Sequence, residues 1–69
     1  MKKKIMIEGM SCGHCVKHVQ EALEGLNDVS SVEVNLAEKY AVVETTVEDS
    51  QLQEAIDDAG YDVISIENL

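Results

Sequence analysis

A chain of 69 residues has room for one small domain. A domain near that size buries only about 60% of its unfolded chain's surface, which excludes a large internal active-site cavity and any nucleotide-binding fold. With 14 acids against 5 bases and a net charge of -9, nucleic acid is a poor partner, because its phosphates need clustered Lys and Arg.

The chain opens on Lys2, Lys3 and Lys4, the charged start of a secretory signal. Only Ile5-Met6-Ile7 follows before Glu8, far short of the roughly 7 to 15 apolar residues a signal core needs. No apolar run approaches the ~20 residues of a membrane span. These features point to a soluble, cytoplasmic chain with no membrane insertion, whose thiols stay reduced. Residues 1–69 are expected to form a single domain, and the initiating Met1 suggests a free-standing protein.

From Lys3 to Glu8 the residues alternate, Ile5 and Ile7 on one face and Lys4, Met6 and Glu8 on the other, as in a half-buried strand. The three lysines then serve to keep an edge strand soluble. After a loop, Gly9 to His14, the period becomes helical from Cys15: Val16, Val19, Leu23 and Leu26 fall at steps of three and four with Ala22 beside them. Gly25 ends this helix. Val32, Val34 and Leu36 alternate with Ser31, Glu33 and Asn35, and beyond a polar turn at Ala37-Glu38-Lys39 the run Tyr40 to Val47 reads as a second arm of a hairpin. Ser50 three residues before Gln53 has the spacing of a capping box, and Leu52, Ala55, Ile56 and Ala59 form the stripe of a second helix closed by Gly60. Val63, Ile64 and Ile66 supply the last strand. The order predicts an α+β fold of ferredoxin-like βαββαβ topology, with both helices on one face of a four-stranded antiparallel sheet.

Both cysteines, Cys12 and Cys15, lie in one C-x-x-C where the loop meets the first helix. Metal affinity and reactivity belong to the thiolate, and a helix N-terminus offers unpaired N–H groups and positive dipole charge to hold it. Gly13 between them permits a backbone that lets both sulfurs converge. Structural zinc wants four ligands, and a usual finger draws them from a second C-x-x-C or an H-x-x-x-H set apart from the first cysteine pair, whereas Cys12, Cys15, His14 and His18 all lie in one short segment. Thioredoxin-type chemistry fits poorly, since that fold runs to ~100 residues and neither Trp nor Pro is present. Haem attachment needs a His after the second cysteine, and position 16 is Val. An open two-thiolate site remains, and soft thiolates select Cu(I) over hard or borderline ions.

The stretch Gly9-Met10-Ser11-Cys12-Gly13-His14-Cys15 resembles the G-M-x-C-x-x-C signature of the heavy-metal-associated domain family. Gly60-Tyr61-Asp62 and the order of elements extend the resemblance over essentially the whole chain. Within that family it is similar to bacterial copper chaperones, which pass Cu(I) to copper-transporting P-type ATPases and sometimes to copper-responsive repressors. The resemblance implies Cys12 and Cys15 as the metal ligands, Met10 as a buried loop anchor and Tyr61 as a neighbour of the site. Ser11 stands where zinc-type members tend to carry an acid, which favours copper. Thiolates also admit Ag(I), Hg(II) and Cd(II). His14 is either a third ligand, a pH-dependent modulator of the thiolates or a solvated residue of the motif. His18, one turn on, reads as surface, with contact to the site or to a second metal ion in a dimer as the alternative. Docking is expected on the Gly9 to Cys15 loop and the first helix, although many copper carriers show basic patches and this chain is acidic. The apo chain is expected to be a monomer, with a metal-bridged dimer as an option once loaded. Two competing functions are a regulatory metal-binding domain excised from a copper ATPase and, further off, a thiol–disulfide oxidoreductase, which unlike a carrier is an enzyme.

Overall fold

The computed structural model describes residues 1–11 and 13–69. Its elements run β1 (Lys2–Glu8), α1 (Gly13–Glu24), β2 (Val29–Asn35), β3 (Tyr40–Thr45), α2 (Asp49–Asp58) and β4 (Asp62–Asn68). The four strands form one antiparallel sheet in the order β2-β3-β1-β4. The expected βαββαβ arrangement is thus the one observed.

Alternation decides what each strand buries. Ile5 and Ile7 of β1 and Ala41 and Val43 of β3 turn to one face, where Val19 and Leu23 of α1 and Leu52 and Ile56 of α2 meet them in a single core. All eight side chains are fully buried. Steps of four, Val19 to Leu23 and Leu52 to Ile56, return a helix to the same side, so two turns from each helix cover one sheet face. Fully burying such aliphatic side chains is worth about 1.5–3 kcal/mol apiece before the entropy of ordering the chain is charged against it.

The lysines depart from expectation. β1 is an interior strand, bonded to β3 on one side and β4 on the other, so no edge is protected by them. Lys3 continues the inward set Lys3, Ile5, Ile7 and is only 7% exposed. Its stem lies under the second helix and its ammonium reaches the rim, where Nζ donates to Val47 O at 3.0 Å and to Asp49 Oδ1 at 2.6 Å. Asp49, in the first turn of α2, is therefore half of an ion pair. Because the carboxylate is 53% exposed, solvent screens the pair and its net worth is modest. We expect Asp49→Ala to lower stability by about 1 kcal/mol, and Lys3→Met, which puts an apolar chain of similar length on the core face, to fall within about 1 kcal/mol of the parent. Urea midpoints measure both; a Lys3→Met loss above about 3 kcal/mol would show that the ammonium is indispensable.

Three boundaries also shift. α1 starts at Gly13 rather than Cys15, since Gly13 and His14 are exposed helical residues that leave no mark on an apolar period. α2 starts at Asp49 after Glu48 as its cap. Gln51 Oε1 accepts from Glu48 N at 3.3 Å, so the box is Glu48 with Gln51 and not Ser50 with Gln53. β3 ends at Thr45 instead of Val47, where the buried Thr45 Oγ1 accepts from Val47 N at 3.1 Å and bends the chain toward α2. In β4, Ile66 pairs with Ile5 and Ser65 with Met6, but Ile7 pairs with Val63. The skipped residue, Ile64, bulges out and is 62% exposed.

Candidate metal centre

The site grows from the end of β1. Glu8 is its last residue, and Gly9 turns the chain with φ of +102°, a region that L side chains rarely adopt. The turn sends Met10 back into the core, where it is 2% exposed, while Ser11 faces solvent. The loop is thereby clamped on its inner side by a thioether packed among apolar neighbours. Cys12 lies outside the described residues. α1 then begins, and Cys15 sits in its first turn, half-buried against the core. A thiol there sits at the positive end of a 12-residue helix, the setting that favours thiolate. His14 is exposed on the same turn, and Lys17 one residue beyond Val16 is exposed as well.

The far side of the loop is supplied by the end of α2. Gly60, at φ +96°, makes the left-handed step after the Ala59 cap. Gly60 N donates to Asp57 O at 3.0 Å and Tyr61 N to Ile56 O at 3.2 Å, the paired bonds of a Schellman turn. That turn delivers Tyr61, half-buried, onto the loop: its ring Cδ1 lies 3.5 Å from the position a Cβ on Gly9 would take. Its hydroxyl lies 3.4 Å from His18 Nδ1 on α1. His18 is exposed as its position on the helix predicts, yet it joins α1 to Tyr61. The signal available in the sequence was only that His14 and His18 are four apart.

Met10, Cys15 and Tyr61 are therefore brought to one end of the molecule by β1, α1 and the α2–β4 turn, with His14 on its rim. Among the described residues no three of His, Cys, Asp and Glu converge on one point. The space beside Gly9 is that of an ordinary contact, so Gly9→Ala is expected to lose about 1–2 kcal/mol through backbone strain rather than collision. A thermal melt measures this, and an unchanged midpoint would show that the loop relaxes without cost.

The model of the heavy-metal-associated domain matches residues 4–62. A protein of Staphylococcus epidermidis named copper chaperone CopZ is 49% identical over 65 residues, covering 90% of this chain and 96% of that protein. Among solved structures, the CopZ metallochaperone superposes with a TM-score of 0.89 at 40% identity, covering 93% of this chain and all of the other. The N-terminal domain of a potential copper-translocating P-type ATPase from Bacillus subtilis, in its Cu(I)-loaded state, superposes with a TM-score of 0.83 at 30% identity over 96% of this chain and 82% of that one.

Proposed function

The chain belongs to the heavy-metal-associated domain family, and from that membership we propose that it is a cytoplasmic copper chaperone, a carrier that holds Cu(I) on the thiolates of Cys12 and Cys15 and catalyses no reaction. The observation that carries this reading is the position of Cys15, half-buried in the first turn of α1 with the other cysteine of the chain three residues before it. Two thiolates match the softness of Cu(I), and of Ag(I) and similar ions, better than that of borderline or hard cations. The copper-chaperone name of a relative 49% identical supports the choice of metal. Among the described residues no helix is long and apolar enough to cross a membrane.

Transfer then proceeds by exchange. A thiolate of the partner adds to the ion and one of the chain's own sulfurs leaves, the partner's second thiolate then displaces the chain's remaining sulfur, and copper stays Cu(I) throughout. A partner must present a comparable open thiolate site. The likeness to a Cu(I)-loaded domain of a potential copper-translocating P-type ATPase makes the metal-binding domain of such an ATPase the first choice, and a copper-responsive repressor is the second on the family resemblance alone. In this reading Met10 anchors the loop, Tyr61 covers it, and His14 modulates the thiolates from the solvent side.

The test is an anaerobic titration of the reduced chain with Cu(I) against a competing Cu(I) chelator, with Zn(II) in parallel. One Cu(I) per chain held against the chelator, with zinc failing to compete, is the expected result. Tight zinc with weak copper, or thiols that turn over an insulin-reduction assay, would replace the carrier with a zinc or redox protein.

A further inference from the structure

A second set of metal-competent groups lies outside the thiolate pair. The chain has two histidines, and both, His14 and His18, are exposed on α1. Residues four apart on a helix share a face, with Cβ atoms about 5–6 Å apart. Two imidazoles at that spacing are how a single helix grips a transition-metal ion.

The ring of His18 supplies an independent observation. Its Nδ1 lies 3.4 Å from Tyr61 Oη, and Tyr61 is held in turn by the bond from its N to Ile56 O. A ligating imidazole is ordinarily oriented by a hydrogen bond on the nitrogen that does not touch the metal. When Nδ1–H donates to the phenol oxygen, the lone pair of Nε2 is left for a ligand.

We propose that His14 and His18 form a second, thiol-independent site on the exposed face of α1, oriented by Tyr61, for a borderline divalent ion such as Zn(II) or Ni(II). Imidazole nitrogen suits these ions as thiolate suits Cu(I). With no third His, Cys, Asp or Glu converging among the described residues, water completes the shell, and the site is weaker than a closed zinc cage. The net charge of -9 raises the local concentration of cations around it. Binding leaves the ion's oxidation state unchanged and needs the imidazoles neutral.

The test keeps the copper site out of play, so its outcome is independent of the proposed function. The full chain, its thiols capped with methyl methanethiosulfonate and its fold checked by circular dichroism, is titrated with Zn(II) and with Ni(II) by calorimetry. Proton–nitrogen correlation spectra follow both imidazole rings during the zinc titration. The Cys12→Ser/Cys15→Ser variant repeats the measurement without the caps. Expected are one ion per chain, both rings shifting together, and affinity lower by at least about tenfold, or 1.4 kcal/mol, in each of His14→Ala and His18→Ala. Tyr61→Phe should weaken binding several-fold at unchanged stoichiometry. Affinity within about twofold of the parent in either histidine variant, or an ion that shifts carboxylate signals while either ring stays silent, overturns the proposal.

Discussion

Replacing Cys12 and Cys15 together by Ser is expected to abolish competitive Cu(I) binding while the chain still folds. A hydroxyl is a hard, weakly acidic group and cannot stand in for a soft thiolate, so affinity should fall by several orders of magnitude. Stability should change little, because Cys15 is only half-buried against the core and Ser is close to it in volume. A cost of about 1 kcal/mol would move the melting point of so small a domain by roughly 4–8 °C. Competition titration and a thermal melt on the same sample separate the two effects. Tight copper binding by the folded double variant would sink the assignment of the ligands. The single Cys15→Ser variant adds a check, since it removes the thiol whose place in α1 is described and should by itself lose most of the affinity.

Met10→Ala should do the opposite, costing stability and sparing the metal. The side chain is 2% exposed in the core and closes the inner side of the loop. Truncating a buried Met to Ala costs about 2–5 kcal/mol, the loss of transfer free energy being joined by a cavity. At roughly 0.05–0.15 kcal/mol per residue a domain this small has only about 3–10 kcal/mol in all, so the variant should melt well over 10 °C below the parent. Copper affinity measured below that melting point should stay within about an order of magnitude, the loop having lost an anchor and no ligand. Full stability with lost copper would reverse the roles and make the thioether a ligand.

The local part of this molecule is legible in its residues because the physics behind it is local. Ile5 and Ile7 alternate, Val19 and Leu23 are one helical turn apart, and Gly60 can take the left-handed step that ends α2; each needs only its sequence neighbours. The C-x-x-C is equally local, and with it the candidate thiols. What resisted reading depends on partners distant in sequence. Lys3 looks like a solubilising charge until β1 is found between β3 and β4, with Val47 and Asp49 waiting 44 and 46 residues away. The same two contacts flank Glu48, where α2 is capped through its box with Gln51 although Ser50 is the better capping residue by propensity. Ile64 is apolar and still exposed, because the pairing of β4 with β1 slips by one residue between Met6 and Ile7.

Around the candidate site the division is the same. Periodicity, turn chemistry and cysteine spacing determined the elements, their order and the thiol pair, since all are set over a few residues along the chain. Only the tertiary structure decided that Tyr61 lies over Gly9 and beside His18, 43 residues from it. That meeting requires α2 and α1 to be packed on one sheet face, a consequence of burying Leu52, Ile56, Val19 and Leu23 in a common core, and no short-range pattern encodes which helix end arrives next to which loop.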